Sequence, residues 1–259
     1  MPRIGIFDSG VGGLTVQRAI LETLPGLDTV YLGDTARVPY GTKSPEVVTQ
    51  YSLRNVRFLV RQEVDMVVVA CNTASAVALP ALRAALDVPV VGVVEPGARA
   101  AARATRGRVG VIGTQSTVAS GAYQRALAAL RPGVTVEARA CPLFVPLAEE
   151  GLTDPADEIV RLVVHRYLAP LAALRIDTLV LGCTHYPLLA AAIAAEMPGV
   201  TMVDSAAAIA AEVAERFPGA RGGGEAEHRF FVTDTPGRFT AVAARFLGRR
   251  VDEAVHVDV

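Results

Sequence analysis

The feature that most restricts how this chain can fold is a rhythm. Short apolar, β-branched runs alternate with alanine-rich stretches long enough for a helix. The runs at residues 3–7, 29–32, 66–70, 90–94, 108–112, 135–140, 178–181, 201–203 and 229–232 read as strands, because such side chains suit a pleated, buried surface. The stretches 14–24, 45–63, 74–86, 97–104, 117–130, 155–174, 188–196, 206–216 and 236–247 read as helices. Strands that alternate with helices and are apolar along their whole length call for parallel sheets covered on both faces. The expected fold class is α/β.

A second, larger repeat lies over the first. RIGIFDSG at residues 3–10 and RVGVIGTQ at 108–115 share a basic residue, a glycine inside an apolar strand and a polar turn before a helix. DMVVVACNTAS at 65–75 and DTLVLGCTHYP at 177–187 share an Asp, five mostly apolar residues, a Cys and then polar residues with a Thr. Two pseudo-symmetric α/β units facing each other across a cleft are therefore expected. In open α/β sheets ligands collect beyond the carboxyl ends of the strands, where Cys71, Cys183, Asp8, Ser9 and Thr114 all fall. The glycine-rich stretch 222–224 reads as an exposed loop rather than a boundary.

Composition narrows the class of function. A net charge of −1 over 259 residues argues against a nucleic-acid partner, which demands a concentrated basic surface. The uncharged run 66–82 is broken by Asn72, Thr73, Ser75 and Pro80, too polar for a membrane span. Only IGIF is apolar between Arg3 and Asp8, far short of an export signal. A reducing cytoplasm is the expected location, in which the three cysteines stay thiols. No metal is expected: the chain has no C-x-x-C and no H-E-x-x-H, and its four histidines are scattered. DSGVGGLT fails both G-x-G-x-x-G and the P-loop pattern, and no G-x-S-x-G is present. A lysine Schiff base would have to use Lys43, the sole lysine.

Two thiols lining one cleft suit three chemistries. Redox exchange needs sulfurs able to close to about 2.05 Å. Nucleophilic attack needs one cysteine rather than a matched pair. Proton transfer on both faces of a carbon needs one thiolate and one opposing thiol. The symmetry of the repeat favours the third, and a free thiol with a pKa of about 8.5 is close enough to neutrality to serve in either form.

The segments IGIFDSGVGGLTV, YLGDTARVPYG, VVVACNTAS, GVVEPG, GVIGTQSTV, CPLFVPLAEEG and LVLGCTHYP, in that order and within a match covering most of Arg3 to Asp204, closely resemble the glutamate racemases. These are cofactor-independent isomerases that supply D-glutamate for bacterial peptidoglycan. Aspartate racemases, as a pattern, carry His where this chain has Ser75 and an acidic residue where it has His185. The resemblance implies that Cys71 serves D-glutamate and Cys183 serves L-glutamate as acid/base groups. Asp8 and His185 are implied as their respective auxiliaries, with Glu150 a further candidate beside Cys183. It implies substrate contacts from Asp8, Ser9, Tyr40, Gly41, Asn72, Thr73, Thr184 and His185, to which Thr114 and Thr117 are added. It further implies no cofactor, a homodimer, and a chain end that returns to the first domain, giving 1–96 plus 208–259 and 97–207. Rival readings are an isomerase of aspartate or a related acid, and a regulatory role in binding DNA gyrase. Residue by residue, plainer roles compete. Cys141 reads as buried packing, Asp8 as a helix cap, Tyr40 as a loop anchor, and Glu149 with Glu150 as a solvated pair.

Overall fold

The computed structural model describes residues 2–222 and 225–259, so Gly223 and Gly224 of the glycine-rich stretch lie outside the described residues. The strands are β1 (Arg3–Asp8), β2 (Asp28–Gly33), β3 (Met66–Val69), β4 (Val90–Gly92), β5 (Arg108–Gly113), β6 (Thr135–Ala140), β7 (Thr178–Gly182), β8 (Thr201–Asp204), β9 (His228–Val232) and β10 (Val255–His256). They form two sheets, ordered β10-β9-β2-β1-β3-β4 and β6-β5-β7-β8. Every pairing is parallel. The walk β2-β1-β3-β4 is repeated as β6-β5-β7-β8, so each half is one copy of the same α/β plan. β9 and β10 return from the far end of the chain to extend the first sheet beyond β2.

The period of two sorts each strand into two cores. Met66 and Val68 join Ile4 and Ile6 on one face of the first sheet, while Val67 and Val69 join Phe7 and Val30 on the other. In the second sheet Leu179 and Leu181 face one core and Val180 the other. Burying each such side chain stabilises the fold by about 1.5–3 kcal/mol, which accounts for the unbroken apolar runs. The aspartates that open the two cysteine segments have a matching structural task. Asp65 accepts the N–H of Arg3 at 2.8 Å and Asp177 that of Arg108 at 3.1 Å, so each ties the β3-type strand to the start of its β1-type neighbour.

Several expected elements differ in detail, each for a local reason. Val93 and Val94, expected at the end of a strand, instead open the helix Val94–Ala104, which carries Pro96 in its first turn, where proline is tolerated. The helix expected over 74–86 starts earlier, at Asn72, and is divided into Asn72–Val77 and Leu79–Ala85 ahead of Pro80. That expected over 117–130 is broken at Gly121, whose φ of 66° is left-handed. The helix Phe144–Glu150 and the two-residue β10 were not anticipated.

The expected crossovers at 96/97 and 207/208 fall inside the helices Val94–Ala104 and Ser205–Arg216. Those two helices pack against each other between the sheets. Among the described residues no helix is long and apolar enough to cross a membrane.

Candidate active site

Cys71 follows β3 and Cys183 follows β7, equivalent places in the two sheets. Both thiols are buried and unbridged, and both line one small cleft of about 50 Å³. Cys71 caps the Asn72–Val77 helix, its Sγ accepting the Ala74 N–H at 3.5 Å. Burial, and then the charge of Asp8, push its pKa up to about 12.

Asp8 closes β1 and is 1% exposed. Its Oδ2 accepts the Gly10 N–H at 3.0 Å, while its Oδ1 has no partner. Burial raises this carboxyl above the usual range, against the opposing pull of His185 and of three turn N–H groups. It does not cap the following helix, Leu14–Thr23, whose N-cap is Gly13 and which has no side-chain cap. Asp8 stands behind the cleft lining, with Ser9 and Gly10 in front of it.

On the opposite wall, His185 Nδ1 lies 3.8 Å from the Cys183 Sγ and its Nε2 lies 3.1 Å from Glu149 Oε1. Burial pulls the imidazole's pKa down, but the partnership of Cys183 and Glu149 outweighs it and lifts the value to about 10. As a cation, the ring donates one N–H toward each partner. Phe246 of the helix Pro236–Leu247 meets it edge-on, with ring centroids 5.2 Å apart.

The carboxylate that pairs with His185 is Glu149, not Glu150. The two are adjacent on the Phe144–Glu150 helix, so their side chains point about 100° apart and only one can face His185. Glu150 does not line the cleft; it lines an adjoining cavity of about 300 Å³ together with Glu149, Arg238 and Arg245. Accordingly, Glu149→Gln should lower the imidazole's pKa from about 10, and Glu150→Gln should leave it unmoved. NMR titration of the His185 ring is the direct measurement. The raised value also has a consequence for stability. The contribution of the cationic ring is complete below the ordinary imidazole value of about 6.5 and is lost as pH rises through about 10.

The remaining expected contacts divide into those that reach the cleft and those that support it. Ser9, Tyr40, Gly41, Asn72, Thr73, Thr114 and Thr184 line it. Thr117 does not. Its hydroxyl sits 3.2 Å from Thr73 Oγ1 and 3.0 Å from Thr114 Oγ1, behind a pair that are themselves 2.9 Å apart across the two halves. Tyr40 combines two roles. It lines the cleft, but its hydroxyl donates to the fully buried Asp34 and accepts from Asn55 Nδ2 at 3.0 Å, so the phenol also anchors the loop.

The halves also meet at Gly12, where a Cβ would stand 2.3 Å from Thr184 Oγ1 and 2.4 Å from His185 Cε1. Beside it, the Thr15 hydroxyl donates to the Thr184 carbonyl at 2.9 Å. Val38, Pro39, Val145 and Glu149 complete the lining and carried no signal of their own in the sequence. Cys141 is fully buried and lies outside the cleft lining. Among the described residues no group of three or more His, Cys, Asp or Glu is placed to hold a metal ion.

A sequence model of the Asp/Glu/Hydantoin racemase family matches residues 4–213, a span that includes both cysteines and both of their polar neighbours. A glutamate racemase of Geobacter metallireducens is 54% identical over 265 aligned positions, covering 99% of this chain and 96% of the relative. The structure of a glutamate racemase isoform from Bacillus anthracis superposes with a TM-score of 0.94 at 41% identity, covering 100% of this chain and 98% of that one. A glutamate racemase from Francisella tularensis, solved in complex with D-glutamate, superposes with a TM-score of 0.92 at 34% identity over 99% and 97% of the chains. The chain belongs to the glutamate racemases of that family and is an isomerase.

Proposed function

We propose that this enzyme interconverts L- and D-glutamate by proton transfer between Cys71 and Cys183, without a cofactor, and so supplies D-glutamate for peptidoglycan. The observation that carries the reading is the placement of two buried, unbridged thiols at equivalent strand ends of one cleft. Each has its own ionisable neighbour, Asp8 for Cys71 and His185 for Cys183.

Starting from L-glutamate, a Cys183 thiolate takes the α-proton, with the cationic His185 as its counter-ion. The carbon flattens as charge moves into the α-carboxylate. Cys71, held protonated by its raised pKa, then delivers a proton to the opposite face, and Asp8 is the group placed to exchange protons with that sulfur. The reverse direction exchanges the roles. Asn72, Thr73, Thr114 and Thr184 offer the donors for the two carboxylates. The same reading divides the chain into 1–96 plus 208–259 and 97–207, and takes a homodimer as the working assembly.

The purified protein given either enantiomer should bring optical rotation to zero from both sides, with aspartate left unchanged. Lys43→Arg should retain the rate, because the sole lysine does not line the cleft. Turnover of aspartate in preference to glutamate would replace the substrate assignment.

A further inference from the structure

Asn72 offers the cleft a primary amide whose two ends are nearly the same shape, so which end a ligand meets depends on what the other end touches. Its Oδ1 accepts the Tyr123 hydroxyl at 2.7 Å. Its Nδ2 is buried with no partner. Tyr123 comes from the helix Ala122–Leu130 of the second half, immediately after the left-handed Gly121, and crosses to the first half.

The ring is held on two sides. A Cβ at Gly182 would lie 3.1 Å from its edge, and one at Gly97 would lie 3.2 Å from its hydroxyl oxygen. Burial raises the phenol's pKa, so it keeps the single proton it has to give.

We infer that Tyr123 is a positioning residue, fixing Asn72 so that its N–H donors are left for a carboxylate of the substrate. This rests on the proposed role of Asn72 in holding glutamate. A phenol donating to Oδ1 locks the amide in one of its two flips, and the unpartnered Nδ2 is then satisfied only when an acceptor enters the cleft. Since the phenol and the amide belong to different halves, the donor is set only while the halves are together.

Tyr123→Phe keeps the ring and removes only the lock. The expected result is a KM raised about tenfold for both enantiomers, the scale of one hydrogen bond to a charged group, with kcat changed less than about threefold. Asn72→Ala should raise KM at least as far, and adding Tyr123→Phe to it should have no further effect. An unchanged KM in Tyr123→Phe beside a raised KM in Asn72→Ala overturns the inference. So does a double variant whose two effects multiply, since Tyr123 would then act elsewhere, and so does a lowered thermal midpoint with KM untouched, which is a packing role alone. If Asn72→Ala itself leaves KM unchanged, the ligand role of Asn72 fails first and the positioning role falls with it.

Discussion

In Cys71→Ser, racemisation from either enantiomer is expected to fall by about 10³-fold or more, within the range that a positioned acid or base contributes. A hydroxyl is a far weaker acid than a thiol, so the face served by Cys71 loses its proton donor, while Cys183 and its His185 partner stay in place. Hydrogen exchange separates this outcome from general damage. In D2O the variant should still wash deuterium slowly into L-glutamate, which Cys183 can deprotonate, and should leave D-glutamate protiated. Cys183→Ser should show the mirror image. In the unaltered enzyme, D-glutamate formed from L-glutamate should carry deuterium from the first turnover. A single variant that racemises at near the unaltered rate, or early product that retains substrate-derived hydrogen, would overturn the assignment of one cysteine to each face.

Gly12→Ala should cost about 10²-fold in activity without touching either cysteine. The added methyl would enter space already held by Thr184 Oγ1 and both near atoms of the His185 ring, at 2.3 to 2.5 Å. Something must shift, and the turn carrying Gly12 and the wall carrying Cys183 belong to different halves. A displacement of about 1 Å between reacting groups is enough for a loss on that scale. Overpacking should also destabilise the fold by about 1–3 kcal/mol, visible as a lowered thermal midpoint. Gly219→Ala is the matched control, because its methyl would meet nothing within 4 Å. Full activity in Gly12→Ala would show that this contact yields without moving the site.

The sequence was most informative where chemistry and periodicity coincide. β3 and β7 were legible because both faces of each are buried, leaving unbroken apolar runs, and the cysteines stood out because the run, the thiol and the following Thr occur twice. The helix Phe144–Glu150 was assigned to no element: CPLFVPL carries two prolines, of which Pro142 precedes the helix and Pro146 sits in its first turn. Val93 and Val94 misled the other way, since β-branched residues continue past the end of β4 into a helix start. The choice between Glu149 and Glu150 had no local signal, because it depends on how the helix is rotated toward His185. Tyr123 and Asp34 were equally hidden, as their partners lie on segments remote in sequence or fold back through a loop.

The return of the chain to its first sheet also sets an order of events during synthesis. The strands of the second sheet are contiguous between Arg108 and Asp204, whereas β2 receives its outer neighbour only when Arg229 reaches Val30. Until then the outer edge of β2, five of whose six residues are buried in the finished fold, presents bare N–H and C=O groups. Such an edge is a template for pairing with another chain, and contacts between residues so far apart in sequence close slowly. A nascent chain halted after residue 204 would therefore hold both cysteine-bearing strands and still carry an unprotected edge, which makes the last fifty-odd residues a guard against self-association as much as a part of the fold.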